Sequence, residues 1–323
     1  MDLSQAVADY LTGQGHFTGP LEVRFLAAGE YNENYLVTNG NGHAFVFRIN
    51  HGSQLGLDRQ IEYEFNVLRA VAPSGVTPRP HFVDPDPPGL PGGVLMMDFL
   101  PGGPLDYQRD LDKAAAVFAR IHALSPADGL VVQKNPVADI AEESLGLINR
   151  HPDHPIPHVR DRLLDYHQTV LDLFELTRDM FETEPLVMVN TEVNSGNFLI
   201  SELGAYLVDW EKAVVSQRYQ DLGHFLVPTT TLWKTDVVLQ PEEKRRFLAL
   251  YKEELETLTG QTAPSLSDLA RKTDILERTI LLRGLSWCFM AFYEYTQTDR
   301  AIRNEDTFAK IRQYLDNIEC FLG

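Results

Sequence analysis

The sequence predicts an α+β protein with a β-rich amino-terminal third and a mostly helical remainder. Three observations carry this. Before residue 100 the chain alternates short apolar runs with glycine, proline and asparagine turns, the pattern of small antiparallel strands. Leu100-Pro101-Gly102-Gly103-Pro104 then reads as a turn joining two lobes. Beyond it, apolar residues recur at helical spacing, interrupted by one strand-bearing stretch from Leu186 to Lys212.

In chain order, Ser4–Leu11 reads as a short helix closed by Gly13. Leu21–Leu26 and Tyr35–Thr38 read as strands, with Ala27–Asn34 as a polar turn between them. Asn39-Gly40-Asn41-Gly42 is a hairpin signal that leads into the alternating run His43–Ile49. Ile61, Phe65 and Leu68 give Asp58–Val71 a helical period. The proline- and glycine-rich segment Ala72–Gly93 is mostly loop around Arg79–Val83, and Val94–Phe99 is an apolar strand. After residue 104, helices are expected over Asp110–Leu124, Arg160–Glu184, Pro241–Thr257, Ser265–Glu294 and Asp306–Leu322. The chain carries no internal repeat and no low-complexity segment.

The 323 residues suffice for a large core, and 44% hydrophobic with 23% charged residues is ordinary for a globular chain. A net charge of −18 argues against a nucleic-acid surface, which needs clustered Lys and Arg; the surplus acid could favour a cationic substrate or, the commoner case, simply keep the protein soluble. Cys288 and Cys320 both fall in apolar helical patterns, so buried free thiols in a reducing compartment are expected. The amino terminus lacks a basic, apolar signal sequence, and no segment approaches the ~20 apolar residues of a membrane span. A cytoplasmic protein with no membrane partner is the expectation.

The chemistry concentrates in Leu186–Lys212. Apolar runs at Leu186–Val189, Phe198–Ile200 and Ala205–Val208 hold three polar side chains at their edges: Glu192, Asn197 and Asp209. Carboxylate and amide oxygens suit Mg²⁺. An acid, an Asn five residues later and an Asp closing a following strand is the spacing of a phosphoryl-transfer loop and its metal aspartate.

These residues make the chain resemble the aminoglycoside phosphotransferase and choline kinase family, which shares the protein-kinase fold. The family pattern His-Gly-Asp-x-x-x-x-Asn, followed by Ile-Asp-Trp/Phe-Glu, aligns with Asn190–Asn197 and with Val208-Asp209-Trp210-Glu211. Asn190 stands for the His and Glu192 for the catalytic Asp. The resemblance runs from about Leu21 to about Phe225. It implies a protein-kinase-like two-lobe fold, with a small β-rich nucleotide-binding N-lobe over residues 1–100. A larger, mostly helical C-lobe would span 101–323 and bind the acceptor.

Residue by residue, the resemblance implies ATP and Mg²⁺ as cofactors and, as acceptor, a hydroxyl of a small molecule that could carry a positive charge. Ala27–Leu36 would lie over the phosphates through backbone N–H groups and Gly29, Asn32 or Asn34; as a bare pattern it is a hairpin. Arg48 would take the place of the phosphate-binding Lys, with Glu64 on the next helix orienting it and Glu62 as the rival acid. Met97 would border the adenine slot, and backbone groups of Asp98 and Leu100 would hydrogen-bond the ring. Asp209 and Asn197 would bind the metal, and Glu192 would accept or orient the acceptor's proton, its carboxylate one methylene further out than an Asp's. Asp221 would anchor the catalytic loop, although a helix N-cap suffices to explain it. His122 reads as structural. A nucleotide-binding pseudokinase with a regulatory role is the alternative, motivated by Asn190 and Glu192.

Two further patterns stand apart. His151, His154 and His158 could bind zinc, but the intervening prolines favour a solvated loop. Trp287, Phe289, Phe292, Tyr293 and Tyr295 could cage an amine or simply be core, and Trp233-Lys234-Thr235-Asp236 could border the acceptor.

Overall fold

A computed structural model describes residues 3–29, 31–53, 55–297 and 305–323. The chain forms two compact units. One comprises Met1–Gly103, Ala127–Leu130 and Phe198–Ala213; the other comprises Pro104–Pro126, Val131–Asn197 and Val214–Gly323.

The first unit begins with helix α1 (Ser4–Gly13), followed by β1 (Leu21–Ala28), β2 (Asn32–Asn39) and β3 (Ala44–Asn50). Helix α2 (Gln60–Val71), β4 (Pro80–Asp84) and β5 (Gly93–Asp98) complete a five-stranded antiparallel sheet in the order β1-β2-β3-β5-β4. The β2–β3 turn closes because Asn39 Oδ1 accepts the N–H groups of Asn41 and His43, both at 3.0 Å, while Gly42 takes φ +80°. The β1–β2 turn is shorter than the sequence suggests. Pairing continues across a bulge to Ala28↔Glu33, so the polar Asn32-Glu33-Asn34 run is strand.

Strand alternation divides the sheet by chemistry. Tyr35, Val37, Phe47, Ile49, Val94 and Met96 form one core with Val7, Tyr10 and Leu11 of α1. Burial of such side chains contributes roughly 1.5–3 kcal/mol each. Their neighbours Asn34, Val46, Arg48 and Met97 therefore point to the opposite face. A one-residue slip would drive Arg48 and Asn34 into the α1 core, which fixes the register.

The chain then supplies α3 (Leu111–His122), α4 (Pro136–Asn149), α5 (Pro157–Thr177) and β6 (Leu186–Val189) to the second unit. The hairpin β7 (Phe198–Ser201) and β8 (Gly204–Leu207) returns to the first unit. There, Gly103 pairs with Ile200, and the Leu207 N–H donates to Val76 O at 2.9 Å. Gly102 permits this approach, since a Cβ would stand 2.8 Å from the Leu199 carbonyl carbon.

The second unit resumes with β9 (Val214–Gln217), which pairs antiparallel with β6. Helices α6 (Tyr219–Leu226), α7 (Pro228–Lys234), α8 (Pro241–Thr259), α9 (Leu266–Gln297), α10 (Glu305–Asp316) and α11 (Ile318–Leu322) follow. The expected single helix over Asp306–Leu322 is thus two, broken at Asn317. Gly223 lets α6 lie against α9, because a Cβ there would meet the Glu277 nitrogen at 2.7 Å. Cys288 is buried in α9, whereas Cys320 is exposed, contrary to the expected burial. Among the described residues no helix is long and apolar enough to cross a membrane.

Candidate functional site

Within the first unit, a cavity of about 430 Å³ opens on the sheet face opposite α1. Its walls are Leu26, Ala27, Val46, Leu68, Pro78, Met97, Phe99, Leu100, Leu199 and Val208, an apolar slot. Asn34, Arg48, Glu64 and Asp209 make its polar part. Arg48 and Glu64 are 7% and 1% exposed and form an ion pair through Nη1 and Oε1. Arg48 Nη1 also lies 3.5 Å from Asp209 Oδ1, and its Nε donates to Asn34 Oδ1 at 3.0 Å. Burial works against the Arg48 charge, but Glu64 and Asp209 outweigh it and hold the guanidinium above its ordinary pKa. Glu62 pairs instead with Arg59 on the surface, so Glu64 is the acid that meets Arg48.

Seven sequence candidates therefore line one cavity: Asn34, Arg48, Glu64, Met97, Asp98, Leu100 and Asp209. Gly29 does not; it sits at the exposed tip of the β1–β2 turn, its N–H donating to Asn32 O. The Asp98 N–H is taken by Arg79 O at 3.0 Å, and its carboxylate faces His81 Nε2 at 2.6 Å. A ligand can therefore receive an N–H from this strand end only beyond Asp98, where Leu100 reaches the cavity wall.

Sequence reading passed over the contacts that hold Asp209. Asp209 has φ +64°, a left-handed conformation that Asp tolerates better than most residues. The segment after it is fastened from β2 and α2 at Glu211 and Ala213. Asn32 Nδ2 donates to Glu211 Oε2 at 2.5 Å and Gln60 Nε2 to Glu211 O at 2.7 Å, with Asn32, Gln60 and Glu211 all buried. Tyr63 donates to Ala213 O at 2.6 Å. Asn50 Nδ2 donates to Asn32 Oδ1 at 2.8 Å, and Ser53 donates to Gln60 Oε1 at 2.6 Å, extending the network to the end of β3. Gln60, Tyr63 and Glu64 share one face of α2 by helical spacing, so a single helix positions both Arg48 and the Asp209 segment. Asn32 thus serves Glu211.

In the second unit, β6 ends at Val189 and the loop 190–197 follows. Asp221, in the first turn of α6, is completely buried; its Oδ2 accepts the Asn190 N–H and its Oδ1 the Thr191 N–H, each at 2.9 Å. Asp221 therefore holds the loop and does not cap α6, whose N-cap position is Arg218. His122 backs it, with Nε2 3.4 Å from Asp221 Oδ2 and Nδ1 3.0 Å from the Tyr251 hydroxyl. Burial lowers the His122 pKa, more than Asp221 raises it, so the imidazole stays neutral at pH 7. Asn190 Oδ1 accepts the Glu192 N–H at 3.0 Å, and Asn197 Nδ2 donates to Glu192 O at 2.6 Å. That bond commits the Asn197 nitrogen and turns its amide oxygen, a hard donor, the other way. Glu192 and Asn197 are half-buried.

The histidine motif does not assemble. His154 is buried, stacked on Phe289 at 3.5 Å and bonded to Phe289 O at 2.7 Å. His151 stacks on Tyr293, and His158 is exposed. On α9, Phe289 and Tyr295 are buried core, while Trp287 meets Trp233 edge-on with centroids 5.8 Å apart.

Residues 22–261 match the family model described as "Phosphotransferase enzyme family". The chain is similar in structure to an ethanolamine kinase of Plasmodium vivax, with a TM-score of 0.66 and 13% identity over 94% of this chain and 85% of that one. It is also similar to a choline/ethanolamine kinase family protein of Mesorhizobium loti, at TM-score 0.61 and 16% identity over 98% and 95% of the two chains. A spectinomycin phosphotransferase, solved with ADP and spectinomycin, gives TM-score 0.61 and 13% identity over 98% and 94%. These likenesses give the fold: a protein-kinase-like arrangement of a small antiparallel-sheet N-lobe and a larger helical part. No curated protein sequence matches the chain.

Proposed function

Because the chain belongs to the phosphotransferase enzyme family, we propose that it transfers the γ-phosphate of ATP to the hydroxyl of a small molecule. One observation carries the reading: an apolar cavity of the first unit ends on Arg48, Glu64 and Asp209. Phosphoryl transfer has a loose transition state, so positioning and charge neutralisation supply most of the catalysis. The purine is proposed to lie among Val46, Leu68, Met97 and Leu199, with an N–H of the Leu100 segment as ring donor. Glu64 and Asp209 hold Arg48 at Nη1 and Asn34 holds it at Nε, which leaves Nη2 for phosphate oxygens.

Asp209 by its carboxylate and Asn197 by its amide oxygen are each proposed as Mg²⁺ ligands, since both are hard oxygen donors of the kind the ion takes, and the ion would neutralise charge on the phosphates. Glu192 is proposed to accept or orient the proton of the attacking hydroxyl. Its side chain reaches more than 1 Å further than an Asp, a displacement that can cost about 10²-fold if uncorrected. Asn190 pins the Glu192 N–H by its side-chain oxygen, a role that needs no titrating group.

The similar structures carry names that include ethanolamine, choline and spectinomycin, and the net charge of −18 favours a cation, so an amine-bearing alcohol is the proposed acceptor class. The test is ADP release from Mg·ATP against a panel of amino alcohols, amino sugars and neutral alcohols, with Asp209→Ala as control. Acceptor-dependent release that vanishes in the variant supports the reading. Nucleotide binding without release against any acceptor favours the pseudokinase alternative. Release that survives Asp209→Ala removes Asp209 from the mechanism.

A further inference from the structure

Thr191 adopts φ +68° and is 3% exposed. A β-branched residue in the left-handed region is a genuine outlier, and such strain persists only where the surroundings overdetermine it. The family pattern has Gly here, for which the conformation is free; Thr must be held in it.

The bonds around Thr191 are specific. Its N–H is on Asp221 Oδ1, and its carbonyl accepts from Arg283 Nη2 of α9 at 3.3 Å. The same Arg283 nitrogen lies 3.3 Å from His224 Nδ1, which must accept because a guanidinium only donates. The next N–H, that of Glu192, donates to Asn190 Oδ1. The Thr191–Glu192 peptide plane is therefore gripped at both ends, its oxygen by Arg283 and its N–H by Asn190. That plane sets the direction in which the Glu192 side chain leaves the backbone.

We propose that Arg283 is a positioning residue for Glu192. By holding the Thr191 carbonyl it keeps the loop in the left-handed turn that Thr191 resists, and so aims a carboxylate one methylene longer than an Asp. The inference rests on the proposed role of Glu192. Its structural half, that Arg283 holds the loop, is testable without it.

The test uses the full chain and four variants: Arg283→Met, Arg283→Lys, Thr191→Gly and the double Thr191→Gly/Arg283→Met. Hydrogen–deuterium exchange reads the amides of residues 190–192, and steady-state kinetics reads turnover. Arg283→Met should speed exchange of these amides and lower kcat about 10- to 100-fold, while KM for the nucleotide stays within about twofold. Arg283→Lys, which keeps a donor, should lose less. The double variant should regain both protection and kcat to within about threefold of Thr191→Gly, because glycine needs no clamp. A merely structural arginine would lower Tm without this rescue. Unchanged exchange in Arg283→Met, or a kcat loss that Thr191→Gly does not repair, overturns the proposal. Should Arg283→Met fail to fold, Arg283→Gln is read in the same way. If the wild type turns over no acceptor, the functional reading fails, while the exchange data still decide whether Arg283 holds the loop.

Discussion

Glu64→Gln is the most informative single perturbation of the cavity. It keeps the volume of a side chain that is 1% exposed and removes the charge facing Arg48. Breaking a buried ion pair from one side costs about 3–5 kcal/mol, because the partner stays buried and uncompensated. Asp209 Oδ1 at 3.5 Å and Asn34 Oδ1 at 3.0 Å remain to Arg48, which places the loss at the low end, about 3 kcal/mol. At about 1.5 °C per kcal/mol for a chain of 323 residues, Tm should fall by roughly 4–5 °C. Arg48 should also be drawn towards Asp209, weakening nucleotide binding by about tenfold, the equivalent of 1.4 kcal/mol. Thermal unfolding with and without Mg·ATP reads both effects. The paired variant Arg48→Met/Glu64→Leu separates them, since apolar replacement of a buried pair is often neutral for stability. It should recover most of the lost Tm and none of the nucleotide-induced shift. A Glu64→Gln variant within 1 °C of wild type, or a double variant that still binds nucleotide, would refute the assignment of Arg48 as the phosphate cation.

Tyr63→Phe removes the donor to Ala213 O and should cost about 1–3 kcal/mol, read as a lower Tm, and raise the Mg²⁺ concentration needed for half-maximal activity. Gly102→Ala brings a Cβ against backbone of Leu199 and Ile200 and should cost about 1–3 kcal/mol; calorimetry of the full chain checks it. Burial lowers the pKa of His122 and His154, so the unfolded chain binds protons that the folded chain refuses. Stability should hold above about pH 6.5 and fall as pH drops below it, and His122→Gln should make that fall shallower in urea melts at pH 7 and pH 5.

Much of the cavity was legible because its determinants are local. Alternation along β2, β3 and β5 puts Asn34, Val46, Arg48 and Met97 on one face, and helical spacing puts Glu64 within reach of Arg48. The network around Glu211 was not legible, because Asn32 and Glu211 are 179 residues apart and no spacing in the sequence links them. Nor does any run of residues announce that 198–213 returns to the first unit; that follows from the Gly103–Ile200 pairing. Helix α4 was legible and missed all the same: Asn135-Pro136 is an N-terminal signal, and Val137, Ile140, Ala141 and Ile148 follow at helical spacing. The strain at Thr191 is a backbone property, invisible in the letters until the Gly of the family pattern is compared with what stands here. His154 misled in the other direction: proline-flanked histidines look solvated, yet Phe289 supplies a stacking face and a carbonyl.

The central claim is that the Arg48–Glu64–Asp209 end of the cavity serves phosphoryl transfer from a nucleotide to an alcohol. Transfer of label from γ-³²P-ATP to an amino-alcohol panel, with wild type and Asp209→Ala side by side, tests it most directly. A labelled phosphoester is expected with wild type and Mg²⁺, and none with Asp209→Ala. Equal labelling by both proteins, or no labelled product with any acceptor while ATP is bound, would contradict it.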